Sequence, residues 1–195
     1  IRFRNCRKAD VNLSVRVFDL ISMVAVILGW LGFGLPFLAR KRQKPADAAR
    51  KYSISNLYMA IQGLGVGLAF MLRREPGTPL IADHAYLQLP LLLLIILLSV
   101  LASWLVKSSV EELGKQWSLT ARVISDHSLI RTGPYSLVRH PIYTALLLII
   151  AASALAFCTW SGVIASIAIY LIGTVLRYRV EERLLIEIFG AQYTQ

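Results

Sequence analysis

The sequence predicts an all-α integral membrane protein: about five transmembrane helices, a cytoplasmic loop that carries a site, and a last helix that extends out of the membrane. Three observations predict it. Of 195 residues, 56% are hydrophobic and 16% charged, with mean hydropathy +0.61, where a soluble domain carries about a quarter charged residues. Apolar blocks recur at close to the ~20 residues that cross a bilayer. The longest polar passage between two such blocks, residues 120–143, holds two of the three histidines, a Gly-Pro pair and a His-Pro pair. A short turn is enough to join two spans, so a long, basic, turn-rich connection marks a site rather than a tether. The length bounds the chain to one domain over residues 1–195.

Residues 1–15 read as a basic tail, on the membrane surface or disordered. The first apolar run is too long and too late for a signal peptide. Ile1 at the start and Gln195 in mid-pattern read as a chain cut at both ends. The first span covers residues 18–39; Gly29, Gly32 and Gly34 suit close helix packing and Pro36 a kink. A cluster from Arg40 to Pro45 halts it. The second span, residues 54–72, carries Gly63, Gly65 and Gly67 around Gln62, and Gly63-x-x-x-Gly67 reads as a helix-contact signal. The third, residues 86–106, is almost free of polar atoms and reads as lipid-facing or scaffold; an amphipathic helix continues it to Ser118.

In the polar passage, two β-prone runs around Ser125-Asp126-His127 predict a small hairpin. Thr132-Gly133-Pro134 reads as a helix start with proline in its first turn. Pro141 biases His140 to extended backbone and opens the fourth span, residues 142–158, so His140 sits at a helix N-terminus beside exposed N–H groups. Trp160-Ser161-Gly162 reads as a tight turn. The fifth span, residues 163–176, runs on through Phe189. Arg177 and Glu181, four apart, share a face, and the hairpin of spans four and five returns them to the side that holds His127 and His140.

With five spans, the loops after spans one and three share a side with the C-terminus and carry 14 Lys and Arg, against 7 on the other side. That bias places the polar passage in the cytoplasm, although the basic N-terminal tail then lies outside. The net charge of +10 fits loops that face anionic lipid. Nucleic-acid binding would need a soluble basic face with aromatic platforms, and none is seen. Cys6 and Cys158 have no metal or redox spacing, and three dispersed histidines predict no metal site.

From Leu113 on, the chain resembles the isoprenylcysteine carboxyl methyltransferase family of integral membrane enzymes. The resemblance rests on Leu113-Gly114-Lys115-Gln116-Trp117-Ser118, His127-x-Leu129-Ile130-x-x-Gly133-Pro134-Tyr135, Arg139-His140-Pro141-x-Tyr143, Glu181-Glu182-x-x-Leu185 and Phe189-Gly190-x-x-Tyr193. It covers about the last 80 residues; the earlier residues match only in being spans. It implies S-adenosyl-L-methionine as methyl donor, S-adenosyl-L-homocysteine as product, and a cofactor region at residues 113–143 and 177–193. By position, His127, Ser128, Leu129 and Ile130 resemble the stretch that wraps the cofactor. Tyr135, His140, Pro141, Ile142 and Tyr143 resemble further contacts, and Glu181 the acidic cofactor ligand. Arg177 resembles the arginine that holds a substrate carboxylate, and with Arg139 is a candidate catalytic residue; Arg139 also suits a lipid phosphate at the interface. The chain departs from the pattern at Ala145, where the family usually has glycine, and at Val180, where eukaryotic relatives carry an acid.

The resemblance implies methyl transfer to the carboxylate of an isoprenylcysteine-like or lipid-linked acceptor, prenylated or otherwise lipid-like. Such an acceptor is already ionised at neutral pH, so the work is positioning and exclusion of water. A phospholipid amine N-methyltransferase is the close alternative; it needs a base. A non-enzymatic membrane scaffold, which would not bind S-adenosylhomocysteine, is the alternative from another class; a membrane reductase would bind NADPH.

Overall fold

The computed structural model describes residues 2–39, 54–81, 85–114, 129–190 and 193, with side chains except those of 2–14 and 188. The described residues form five α-helices: α1 Arg2–Ala39, α2 Ile54–Met71, α3 Gln88–Leu113, α4 Pro141–Phe157 and α5 Trp160–Phe189. Single 3₁₀ turns stand at Ala85–Leu87 and Gly133–Ser136. No strand occurs among the described residues beyond one isolated bridge between Arg73 and Cys158. The hairpin expected around Ser125 falls outside them. Among the described residues, four helices are long and apolar enough to cross a membrane, over Val15–Ala39, Ile54–Met71, Gln88–Leu113 and Trp160–Glu187. At 17 residues α4 is shorter, about 26 Å at 1.5 Å per residue.

α4 sits in the middle. α1 and α3 pack on each other and on α4, while α2 packs on α5 and both touch α4. The sequence of α4 permits this: Ala145, Ala152, Ser153, Ala154 and Ala156 are small and buried, so neighbours can close on several sides. The large apolar side chains of the outer helices, such as Leu28, Leu31, Leu93 and Leu97, point outward, as expected where the solvent is lipid.

The glycines decide how close the helices come. A Cβ on Gly29 would stand 2.6 Å from Ile149 Cδ1, and one on Gly32 2.6 Å from Ser103 Oγ, so both serve the packing expected of α1. Gly34 meets nothing within 4 Å. In α2 the expected contact pair is corrected. Gly63 and Gly67 face open space, whereas a Cβ on Gly65 would lie 2.6 Å from the backbone N of Tyr170. Gly173 of α5 reciprocates, with its Cβ position 2.7 Å from the backbone N of Gln62. The four-residue spacing is right for a helix face, but the azimuth of α2 is set by α5, not by the spacing.

Three further expectations change. The basic tail is not irregular: α1 runs back to Arg2 without a break, for no glycine or proline interrupts residues 2–15. The third helix does continue beyond residue 106, but it ends at Gly114, whose φ of 54° terminates it. The turn between α4 and α5 is at Cys158-Thr159, since Thr159 caps α5 by accepting from the Gly162 N–H, which draws residues 160–162 into the helix.

At that end the loop after α2 is tied down. Arg74 donates to Asp19 Oδ1 of α1 (2.9 Å), to the Thr78 carbonyl (2.8 Å) and to the Leu155 carbonyl (3.3 Å). Asp19 Oδ2 also accepts from the Gly77 N–H at 2.9 Å. The opposite end holds the C-terminal ends of α1 and α3, the N-terminal ends of α2 and α4, and the extension of α5. The polar groups of the candidate site gather there.

Candidate functional site

His140 is the N-cap of α4 and Pro141 its first residue. The His140 carbonyl accepts from the N–H groups of Tyr143 and Thr144, both at 3.1 Å, so the Arg-His-Pro-x-Tyr run turns His140 and Tyr143 onto one side of the helix start. Their rings stack, with centroids 5.5 Å apart and planes 18° apart. The Tyr178 ring of α5 also stands against His140, with centroids 5.7 Å apart. The Tyr143 carbonyl in turn accepts from Tyr170 OH at 2.7 Å, which ties the first turn of α4 to α5.

α5 supplies the charges. Glu181 Oε1 accepts from Tyr143 OH at 2.6 Å and from Arg177 Nε at 3.2 Å, the i,i+4 relation expected of the last helix. Glu181 Oε2 lies 3.9 Å from His140 Nδ1. The acidic face of α5 therefore does meet the imidazole at the start of α4. Glu182 Oε1 stands 3.7 Å from His140 Nε2 and 3.6 Å from Arg139 Nη1. His140 Nε2 is inaccessible and makes no hydrogen bond to a described residue. Burial pushes the His140 imidazole below its usual range, and the charges of Glu181 and Glu182 only partly oppose this. The ring is therefore neutral at pH 7.

Arg177 is 8% exposed. Its guanidinium lies over the Tyr143 ring at 5.2 Å, and Nη1 donates to Gln62 Oε1 of α2 at 3.2 Å. Arg139, by contrast, is largely exposed and lies over the Tyr193 ring at 5.4 Å. The turn that carries Tyr135 is fixed to α3. Thr132 Oγ1 donates to the Glu112 carboxylate, and Gly133 has φ of 56° with its Cβ position 3.1 Å from Glu112 Oε2, so this tight approach needs glycine twice over. Burial raises the Tyr135 phenol above its usual range, and the charges of Glu181 and Glu112 add to it.

The expected site residues thus divide. Tyr143, Glu181, Arg177 and His140 form one connected group, with Tyr135 beside it and Arg139 at its edge. Pro141 is buried, and Ile142 packs into the core with α1 and α3. Leu129 and Ile130 are half-buried; His127 and Ser128 lie outside the described residues. Gln62, Thr174, Tyr178, Glu112 and Thr132 join the group without having been singled out for it. Gln62 carried a signal, a lone amide in an apolar span.

No curated protein matches the chain. The sequence profile of the phospholipid methyltransferase family matches residues 91–192, over half of the chain and all of the described site except Gln62 and Tyr193. The chain belongs to the phospholipid methyltransferase family, within the isoprenylcysteine carboxyl methyltransferase-like superfamily of membrane methyltransferases.

Proposed function

We propose that the protein transfers the methyl group of S-adenosyl-L-methionine to a lipid acceptor drawn from the bilayer, and that the acceptor atom is the amine of a phospholipid. The connected group Tyr143–Glu181–Arg177, against the stacked pair of His140 and Tyr143, carries the reading. Methyltransferases of this family generally use S-adenosylmethionine, which supplies an electrophilic methyl on a positively charged sulfur. The residues present fit it: flat rings for an adenine, a carboxylate for hydroxyl or ammonium donors, and an imidazole Nε2 that is buried without a hydrogen bond. On this reading Tyr135, His140, Tyr143 and Glu181 hold the cofactor, with Leu129 and Ile130 lining its approach. The site faces the cytoplasm, where the cationic loops lie.

Two observations favour an amine. Arg177 already pairs with Glu181 and Gln62 and is buried, while Glu112, Glu181 and Glu182 bring carboxylates to the same end. An ammonium must lose a proton before its nitrogen can attack. The carboxylate of Glu182, 3.7 Å from His140 Nε2, takes that proton. Exposed Arg139 is placed for a headgroup phosphate. The second reading, transfer to the carboxylate of an isoprenylcysteine-like compound, is favoured by the match of Arg177 to a carboxylate-holding arginine; there Arg177 orients the acceptor and no base is needed.

Calorimetry with S-adenosylhomocysteine on the purified protein tests the site. Loss of a charge-assisted hydrogen bond is worth about 1.5–3 kcal/mol, so Glu181→Ala and His140→Ala lower affinity at least tenfold for the first and measurably for the second. Unchanged affinity in both removes the assignment. Labelled methyl transfer to aminophospholipids and to prenyl-cysteine analogues then chooses the acceptor. Between pH 6 and 9 the amine reaction rises with pH, whereas the carboxylate reaction is flat, its acceptor being ionised throughout.

A further inference from the structure

Gln62 stands halfway along α2, in the part of the chain that the family match does not reach. It is 3% exposed, and its amide is committed at both ends. Nε2 donates to Thr174 Oγ1 at 2.8 Å, and Oε1 accepts from Arg177 Nη1 at 3.2 Å. Arg177 has only donors, so the amide oxygen has to face it and the amide nitrogen has to face Thr174. An amide inside a span is costly unless such partners are found. The partners are found because Gly65 and Gly173 let the backbones of α2 and α5 nearly touch; larger residues at either position would hold this short side chain out of reach.

We propose that Gln62 is a positioning residue of the cofactor site: it fixes Arg177, and through Arg177 decides how Glu181 is presented. This rests on the methyltransferase reading of the site. Arg177 holds Glu181 through Nε, at the same oxygen that accepts from Tyr143. Gln62 holds Nη1 on the far side of the guanidinium, so the plane of the fork is fixed between α2 and Glu181. With Oε1 of Glu181 committed twice, Oε2 is left on the His140 side, 3.9 Å from Nδ1. Without Gln62 the Nη1 side of the guanidinium loses its anchor on α2, and the orientation in which it meets Glu181 shifts. α2 then contributes to the site through one amide, although among the described residues none of its own forms a hydrogen bond or ion pair with His140 or Glu181.

The test is calorimetry with S-adenosylhomocysteine on the full-length protein in detergent, for wild type, Gln62→Met and Thr174→Val, with the thermal midpoint of each ligand-free protein measured alongside. Gln62→Met keeps the length of the side chain and removes both polar groups; it weakens affinity about tenfold with binding stoichiometry unchanged. Thr174→Val removes only the outer anchor of the amide and weakens affinity about threefold. Combined with Arg177→Lys, Gln62→Met adds little, because the two act as one unit. A residue that merely glues α2 to α5 behaves differently: the midpoint and the stoichiometry fall as part of the protein misfolds, and the dissociation constant of the remainder stays at the wild-type value. That result, or affinity within twofold of wild type in both variants, overturns the proposal while leaving the site standing. Failure of the wild type to bind overturns the methyltransferase reading and this inference together.

Discussion

Gly65→Ala tests where α2 meets α5. The added methyl would stand 2.6 Å from the backbone N of Tyr170, 2.8 Å from its Cβ and 2.9 Å from the Ser166 carbonyl oxygen. None of these is the end of a flexible side chain, so α2 has to retreat by about 1 Å to recover ordinary contact distances. Overpacking of this kind costs about 1–3 kcal/mol, while alanine in place of glycine in a helix returns about 0.8–1 kcal/mol. Gly63→Ala and Gly67→Ala receive the second effect without the first, since both face open space. The gap between Gly65→Ala and these controls is therefore about 1–3 kcal/mol, or about 2–12 °C in thermal midpoint for a chain of this size. The same retreat stretches the 3.2 Å bond from Arg177 to Gln62 beyond hydrogen-bonding range, so Gly65→Ala also weakens S-adenosylhomocysteine binding. Thermal unfolding in detergent and calorimetry read the two effects. A Gly65→Ala protein as stable as wild type, with Gly63→Ala or Gly67→Ala the damaged one, would refute this placement of the helix contact.

Arg74→Met leaves Asp19 without its cation; since Asp19 is 27% exposed and keeps the Gly77 N–H, the cost is about 2–3 kcal/mol, below the ~3–5 kcal/mol of a fully buried pair. The midpoint drops while S-adenosylhomocysteine affinity holds, because this lock is at the other end of the helices; a drop in affinity of equal size would refute that separation. The His140 imidazole is held below its usual value of 6.5, so the unfolded chain binds its proton first as pH falls. The resulting stability is present above about pH 6.5 and is lost on acidification towards the lowered folded value; His140→Gln flattens the midpoint between pH 7 and 5, and an unchanged slope in that variant would show that the imidazole is not the group responsible.

The parts of the site written in local geometry were legible in the sequence. Four residues separate Arg177 from Glu181, which on any helix is one face. Pro141 fixes where α4 begins and leaves His140 at its cap. The joint between α4 and α5 is too short for anything but an antiparallel return, so Glu181 had to come back to the level of His140, and at 3.9 Å it does. The five apolar blocks were legible for the same reason: bilayer thickness dictates their length.

What the tertiary structure alone decided is the rotation of each helix about its own axis. Hydropathy says that α2 crosses the membrane but is nearly blind to which of its sides meets α5, because lipid tails and a neighbouring helix are equally apolar. The glycine spacing pointed to Gly63 and Gly67; packing chose Gly65, and with it carried Gln62 to Arg177. The Arg74–Asp19 pair joins residues 55 apart in the chain, and no periodicity encodes such a distance. Sequence alone determined which residues share a helix face and where α4 starts. Which faces touch was left to the close packing of small residues around α4, a property of all five helices at once.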